Sequence, residues 1–566
     1  CAFFILNLVL FSFNQAPYIS NVILVINGLT GFLLLITYRV VVKYFFMYVK
    51  NFRIDQHRVI IYGAGEGGIA AKRTLDQDIK INMLITAFID DDEHKTGKAI
   101  DGIKIYHTRE FQNLINNDKI DDLIIASQNI PPDQKNKIVD LCLENQIKVL
   151  TLPPVQSWIN GQLSSRQLQT IKIEDLLERE PIEINNGIIG DQIKGKRILV
   201  TGAAGSIGSE IVRQISLFHP QMIILNDQSE SPLHELHLEL QENNLHNNFH
   251  SFIGDIRDQS RMEILFQTFK PHYVYHAAAY KHVPLMEHNP GEAVRTNVMG
   301  TKTIADLSVK YGVTKFVMVS TDKAVNPTNV MGASKRIAEI YVQSLCHSFK
   351  NRNNTVYTNG LSHLNKGSAA INTKFITTRF GNVLGSNGSV IPRFKAQIEK
   401  GGPITVTHPE ITRYFMTIPE SCRLVLEAGS MGEGGEIFIF DMGKSVKIVD
   451  LAKKMIRLSG LVPHQDIAIE FSGLRPGEKL YEELLNDLES TMPTHHEKIM
   501  VAQVREYDFQ SISTHISDLI KLSCQYKDRQ LVIKMKEIVP EFKSNNSIYE
   551  ELDIPDESII QSISNQ

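Results

Sequence analysis

One stretch constrains the fold of this chain more than any other. An apolar run of strand length, Arg197 to Val200, leads into Thr201-Gly202-Ala203-Ala204-Gly205-Ser206-Ile207-Gly208 and then into a helical pattern from Glu210. Strand, glycine turn and helix in that order open a parallel βαβ unit. Glycines there permit the tight turn and let a pyrophosphate approach the helix N-terminus. Gly202, Gly205, Ser206, Ile207 and Gly208 are therefore the expected cofactor loop. The next strand, Met222 to Leu225, closes on Asn226-Asp227, and Asp227 follows Gly208 by nineteen residues. A carboxylate at that place accepts both ribose hydroxyls of NAD and repels a 2′-phosphate. No Arg or Lys follows immediately, which favours NAD over NADP. Asp255 and Ile256, in Gly254-Asp255-Ile256-Arg257-Asp258, are expected along the adenine edge, and Tyr273 to Tyr280 supplies a further strand and turn containing Ala277 and Ala278.

The same order occurs once earlier. Arg58 to Tyr62 is followed by Gly63-Ala64-Gly65-Glu66-Gly67-Gly68, a second strand from Leu84 to Ile89 ends in Asp90-Asp91-Asp92, and Asp122 to Ala126 reads as a third strand. A lone glycine pattern is weak, so ligand binding and a spacer role both stay open for this domain. The segment up to about Lys196 reads as a connector with a short acidic helix, Glu174 to Glu180. The expected fold class is α/β: N-terminal membrane helices, then two Rossmann-like doubly wound parallel-sheet domains, the second with a smaller C-terminal substrate-binding part. A chain of 566 residues suits three or four units. The expected boundaries are 1–53 for the anchor, 54–150 for the first Rossmann-like domain, 151–196 for the connector, 197–500 for the catalytic domain, and 501–566 for a helical segment and acidic tail.

Cys1 to Tyr38 contains no Asp, Glu, Lys or Arg, and Arg39, Lys43, Lys50 and Arg53 then follow in quick succession. Ile19 to Thr37 is nearly long enough to span a bilayer, Cys1 to Phe13 only part of one, and a start at Cys suggests further spans upstream. The cations place the rest of the chain in the cytoplasm by the positive-inside tendency. A signal peptide or a buried hairpin is the competing reading, but the first lacks a basic start and a small-residue cleavage site. Arg39 to Arg53 mixes aromatics with cations, as an interfacial helix would. With 43% hydrophobic and 22% charged residues the remainder is globular. A net charge of -4 offers no excess of cations to neutralise nucleic acid. Five scattered cysteines give neither a zinc site nor a disulfide framework and suit a reducing compartment. Asn351 to Asn372 reads as a mobile surface loop, and the acidic stretch beyond Ser544 as disordered.

The motifs TGAAGSIG, GDIRD, HAAAYKHVPLMEHNP, NVMGT, STDKAVNPTNVMGASK, TTRFGNVLGSNGSVIP and LRPGEK occur in order up to the region of Met500. Together they resemble the membrane-associated nucleotide-sugar 4,6-dehydratases of polysaccharide and glycan biosynthesis, a branch of the extended short-chain dehydrogenases/reductases. The resemblance implies NAD as cofactor and a UDP-linked N-acetylhexosamine, foremost UDP-N-acetylglucosamine, as substrate. It further implies a 4-keto-6-deoxy product for capsule, O-antigen or glycoprotein glycan, a place at the inner membrane of a bacterium with the catalytic part facing the cytoplasm, and a homo-oligomer. No metal is expected.

One departure bears on chemistry. Most short-chain dehydrogenases use Tyr-x-x-x-Lys, and this chain has Met331-Gly332-Ala333-Ser334-Lys335. The spacing keeps both side chains on one helical face, but a thioether transfers no proton. Long-form dehydratases carry Met there as well and keep Thr-Asp-Lys, here Thr321-Asp322-Lys323 after the strand Lys315 to Ser320. The resemblance makes Lys323 the base for the sugar C5 proton, if Lys335 or desolvation keeps it neutral, and Asp322 the acid, if burial keeps it protonated. Thr321 would hydrogen-bond the 4-hydroxyl and Lys335 the nicotinamide ribose. Substrate contacts are expected from Lys281, His282, Asn382, Arg393, Arg413, Arg475 and Glu478, with Arg475 leading for diphosphate; Arg379 lies in the same group of motifs. The bland reading of Asp322-Lys323 is a surface ion pair, and of Met331 and His282 core packing. Two other functions stay open: a 4-epimerase, which needs no acid at C6, and a catalytically silent NAD-binding scaffold at the membrane.

Overall fold

The structure is a computed structural model that describes residues 21–52, 57–77, 83–127, 130–153, 163, 167–177, 186–243, 248–350, 373–483 and 490–553. The chain divides into two compact units, residues 1–130 with 139–170, and residues 131–138 with 171–566.

In the first unit a single helix runs from Asn21 to Phe52, and Ile26–Phe45 within it is long and apolar enough to cross a membrane. None of that stretch is buried within the protein. The expectation of a span ending at Thr37 and a separate interfacial helix is thus corrected to one continuous helix. No proline or glycine interrupts the junction, so nothing ends the helix at Tyr38, and the long stems of Arg39 and Lys43 lie along it. Cys1 to Phe13 lies outside the described residues. A seven-stranded sheet follows, made of β1 (His57–Tyr62), β2 (Met83–Asp90), β3 (Ala99–Ile100), β4 (Ile103–His107), β5 (Asp122–Ile125), β6 (Lys148–Thr151) and β7 (Gln169–Thr170), in the order β3-β4-β2-β1-β5-β6-β7. β4, β2, β1, β5 and β6 run parallel. The presumed connector contributes β7, antiparallel to β6. Of its acidic helix, expected over Glu174 to Glu180, the described part is helical over Ile173–Leu177, and residues 178–180 lie outside the described ones.

The second unit is built on a nine-stranded sheet. Its parallel part comprises β8 (Arg197–Thr201), β9 (Met222–Asp227), β10 (Phe249–Ile253), β11 (Tyr273–His276), β12 (Lys315–Thr321) and β13 (Lys374–Phe380), joined by the later strand Ile437–Phe440, parallel to β13. Short elements follow: β14 (Asn382–Val383), β15 (Ile404–Val406), β16 (Thr412–Arg413), β17 (Phe415–Met416), β18 (Ile437–Phe440), β19 (Val446–Lys447), β20 (Ile469–Phe471), β21 (Ser490–Pro493) and β22 (Ile499–Gln503). The large sheet has the order β10-β9-β8-β11-β12-β13-β18-β22-β21, so the chain reverses direction across it between β8 and β11. Ligands of open α/β sheets bind at the carboxyl ends of the strands at that switch point. Three two-stranded pairs, β14 with β17, β15 with β20 and β16 with β19, accompany the large sheet in this unit.

Alternation along the strands splits the core into two layers. Leu199, Ile224, Val274 and Phe316 face the helices Gln259–Phe269, Thr301–Lys310 and Val330–Lys350, and Ile198, Val200, Ile223 and Val317 face Ser206–Ser216 and Ile418–Met431. The helix Val330–Lys350 is buried from Val330 to Cys346, because the helices Phe509–Ser523 and Asp528–Ile538 pack against it within the same chain. Of the stretch beyond Ser544 expected to be disordered, residues 545–553 are instead ordered and hydrogen-bonded to the rest of this unit, and residues 554–566 lie outside the described residues. Side-chain amides and two buried anchors, Phe542 and Tyr549, offset their lack of apolar content. The loop 351–372 lies outside the described residues.

Candidate active site

A cleft of about 790 Å³ opens at the carboxyl ends of the parallel strands, and its wall runs from Gly202 to Glu478. The cofactor side is set by backbone geometry. Gly202 has φ +67°, and a Cβ there would lie 2.7 Å from the Ala278 backbone; one on Gly208 would lie 2.0 Å from the Gly202 carbonyl oxygen. Gly205 is the N-cap of the helix Ser206–Ser216, and a Cβ on it would meet only the Gly202 carbonyl oxygen, at 3.3 Å. Gly202, Gly205, Ser206, Ile207, Gly208 and Ala277 all line the cleft, so a diphosphate can reach unpaired helix N–H groups there. Asp227 stands at the end of β9, off the cleft wall, where its Oδ2 accepts from Ala204 N at 3.1 Å and its Oδ1 from Ser229 N at 2.9 Å. These residues fit a dinucleotide. Ala278 backs Gly202 and is not on the wall. Asp255 and Ile256 are also off it: Arg257 holds the Asp255 carboxylate at 2.7 Å, and Ile256 is buried against Gly300. If Asp227 selects the cofactor, Asp227→Ala should weaken NAD binding about tenfold or more while narrowing the preference over NADP, read by titration with each. Unchanged NAD affinity would remove Asp227 from that role.

The reactive side begins where β12 ends. Thr321 caps a single turn, Asp322–Ala324, which aims Lys323 into the cleft and Asp322 away from it. Lys323 Nζ lies 3.1 Å from Asp322 Oδ1, 2.7 Å from Glu482 Oε1 and 2.9 Å from Asn382 Oδ1. Burial pulls its pKa down, but the charges of Asp322 and Glu482 outweigh that and raise it above the ordinary lysine value. For Asp322, burial pushes upward, and the Lys323 charge with hydrogen bonds from its neighbours lowers the carboxyl below its usual range. Both resting charge states are therefore the reverse of the sequence expectation. Asp322, with its side chain fully buried, is also absent from the cleft wall, while Thr321, Lys323, Met331 and Lys335 are on it. Glu482 holds the proton of the carboxylate pair: burial, then the Asp322 charge, raises it to about 7. Nothing in the motif reading pointed to Glu482. It lies just beyond the LRPGEK motif, and only folding carries it to Lys323.

Thr321 Oγ1 donates to Asp322 Oδ1 at 2.8 Å and accepts from Lys323 N at 3.4 Å, so one lone pair remains for a further donor. Lys335 Nζ donates to the Val319 carbonyl at 2.7 Å, and burial lowers its pKa to about 8. Lys281 is likewise lowered, by burial and then by Lys323, and His282 by burial and then by Lys281. Both line the cleft, which corrects the core reading of His282. Two of the expected phosphate ligands are engaged internally. Arg413 pairs with Glu478 and Glu482, each at 3.3 Å, and so steadies the carboxylate behind Lys323. Arg379 is 1% exposed and belongs to a buried ion cluster with Glu339. Arg393 and Arg475 line the cleft with no ion-pair partner among the described residues, so their charge is available to a diphosphate. Among the described residues no group of His, Cys, Asp and Glu is arranged to hold a metal ion.

A family model described as "Polysaccharide biosynthesis protein" matches residues 198–504, and one described as "C2185-like, N-terminal" matches residues 55–149. The capsular polysaccharide biosynthesis protein CapD of Staphylococcus aureus is 45% identical over 472 residues, covering 82% of this chain and 75% of that protein. A UDP-N-acetylglucosamine 4,6-dehydratase (inverting) of Campylobacter jejuni is 33% identical over 299 residues, 52% of this chain and 79% of that one. A UDP-glucose 4-epimerase of Rickettsia canadensis is 35% identical over 295 residues, 51% and 78% respectively. The first family model spans more than half of the chain, and the similar proteins include nucleotide-sugar enzymes: the chain belongs to the polysaccharide biosynthesis protein family.

Proposed function

We propose that the chain is a NAD-dependent 4,6-dehydratase of a UDP-N-acetylhexosamine, foremost UDP-N-acetylglucosamine, held by its N-terminal helix at the inner bacterial membrane with the cleft on the cytoplasmic side. The observation that carries the reading is the buried assembly behind the cleft wall, in which Lys323 sits between Asp322 and Glu482. A 4-epimerase moves a proton only at the 4-hydroxyl. A dehydratase must also take the C5 proton and deliver one to the departing 6-hydroxyl, and a lysine backed by two carboxylates suits both tasks.

NAD would be held by the glycine turn Gly202–Gly208, with Asp227 at its ribose, and would supply the acceptor for the C4 hydride and its source at C6. The remaining work falls to the chain. Lys323 passes its proton to Asp322 Oδ1, 3.1 Å away, and its amine then takes the proton from C5. The ammonium so formed protonates the 6-hydroxyl and water departs, after which Asp322 returns the stored proton to Lys323. Lys323 then protonates C5 as hydride reaches C6, and solvent in the open cleft, which took up the proton released from the 4-hydroxyl during oxidation, restores the ammonium. Neutral Glu482 is needed for this cycle, since a second carboxylate charge 2.7 Å from the amine would hold its proton in place. Thr321 accepts from the sugar, Asn382 orients Lys323, and Arg393 and Arg475 hold the diphosphate. Met331, 3% exposed, fills the space beside Lys335 without moving a proton.

Because Glu482 is raised to about 7, its neutral form is present below that pH and lost above it. Accordingly kcat/KM should fall as pH rises through about 7, and Glu482→Gln, permanently neutral, should lack that fall while keeping turnover at lower pH. The same alkaline fall in Glu482→Gln would take the group out of the mechanism. The reaction itself is tested by incubating the protein with NAD and UDP-N-acetylglucosamine and recording proton NMR. A C6 methyl doublet identifies the dehydratase, a galacto-configured product the epimerase, and no change a scaffold.

A further inference from the structure

After the helix Asp528–Ile538 the chain turns back over the loops that carry the site. Phe542 and Tyr549, 2% and 6% exposed, anchor the otherwise largely exposed residues 543–553 to the core. On one edge of this segment Lys543 N donates to the Pro327 carbonyl and Asn545 N to the Thr328 carbonyl, each at 3.1 Å. Both acceptors lie in the turn between Lys323 and the helix that bears Met331 and Lys335. On the other edge the Asn545 carbonyl accepts from Gly477 N at 2.7 Å, Asn545 Nδ2 donates to the Glu478 carbonyl at 3.3 Å, and Asn546 Nδ2 donates to the Leu474 carbonyl. These three residues belong to the loop that presents Arg475 to the cleft.

The loop and the turn are also locked to each other. The Gly477 carbonyl accepts from Asn329 Nδ2 at 2.9 Å and from Thr328 Oγ1 at 3.1 Å. Gly477 has φ +76°, and a Cβ on it would fall 2.5 Å from that of Asn329. A third tie reaches the start of the catalytic helix. Ser547 Oγ donates to Glu287 Oε2 at 2.6 Å, and Glu287 Oε1 accepts from Val330 N at 2.6 Å. Glu287 is 3% exposed, so it transmits the position of the segment to a helix N-terminus from inside the protein.

We infer that residues 543–553 form a positioning strap that sets affinity for the nucleoside diphosphate, by clamping the Arg475 loop against the turn ahead of the catalytic helix. The inference rests on the proposed function for the identity of the ligand, whereas the clamping itself does not. Asn545, Asn546 and Ser547 are positioning residues and are themselves absent from the cleft wall. Asn546 has φ +53°, so glycine removes its amide without adding backbone strain.

The test compares the full chain with the Asn545→Ala/Asn546→Gly and Ser547→Ala variants. Amide hydrogen exchange is read over residues 474–478, and UDP and NAD affinities are read by calorimetry. The double variant should exchange faster in that loop and bind UDP about tenfold more weakly, with NAD affinity unchanged, as two lost hydrogen bonds at a phosphate-binding loop would give. Ser547→Ala should follow in direction and Ser547→Thr should behave as the wild type. Unchanged exchange at 474–478 overturns the strap whether or not UDP binds. Faster exchange with unchanged UDP affinity overturns its role in binding. A wild type that binds no UDP refutes the proposed function, and the exchange result still decides the clamping.

Discussion

Lys323→Met is expected to lower turnover by about 10² to 10⁴, since that is the range lost when a general acid-base group is removed. Methionine keeps the length and much of the volume of the side chain, so the loss reports on the amine. NAD affinity should be unchanged because the glycine turn and Asp227 make no contact with Lys323. The sharper readout is exchange of the sugar C5 proton with solvent deuterium, which needs a base but no departing hydroxyl. Lys323→Met should abolish it. Asp322→Asn should slow it, because Lys323 then has no carboxylate 3.1 Å away to take its own proton. Exchange that persists in Lys323→Met would mean that another group, with Lys335 next in line, removes the proton.

The largest loss of stability is expected at Glu339. Its carboxylate is fully buried and accepts from Arg379 at 2.9 and 2.7 Å, from Arg336 at 3.1 Å and from Ser320 at 2.7 Å. These partners lie on β13, on the helix Val330–Lys350 and on β12, so one carboxylate joins the helix with Lys335 to the strand that leads into Thr321. Glu339→Ala removes the carboxylate that Arg379 and Arg336 share and leaves Arg336 its pairing with Glu541 at 3.3 Å; breaking such a buried cluster costs about 3–5 kcal/mol. Thermal unfolding of the second unit should move down by several degrees, and turnover should fall with it. Burial raises the Glu339 pKa, but Arg379 and then Arg336 bring it to about 2. A depressed carboxyl stabilises the fold above its unfolded value of 4.5 and loses that contribution as pH falls towards about 2. Acid unfolding of the wild type should therefore show a component in that window that Glu339→Ala lacks. An unchanged melting temperature would mean that water reaches the cluster.

What was legible in the sequence was local. A glycine turn is specified by the few residues that must approach one another, so Gly202 and Gly208 announced both the turn and the cofactor side, and β8, β9 and β12 differ from their expected limits by only one or two residues. Continuous apolar runs such as Ile198 to Val200 read as buried parallel strands for the same reason. Charge states were not legible, because they depend on which groups burial brings together. Lys323 reads as a base in isolation and becomes a held ammonium only when Glu482 arrives beside it. Arg379 and Arg413 carry the same residue type as Arg475, and only packing tells which guanidinium is already satisfied. The anchor shows a third limit: composition marked the apolar stretch, but the two expected elements merge because helix propensity continues through Tyr38.

The central claim is that hydride is removed from C4 and returned to C6 of the same sugar, with the chain handling the protons between. The most direct measurement uses UDP-N-acetylglucosamine deuterated at C4, with the product examined by NMR and mass spectrometry. Deuterium recovered in a C6 methyl group of a 4-keto product is the predicted result. Deuterium retained at C4 of a galacto-configured product would contradict it and assign the cleft to epimerisation.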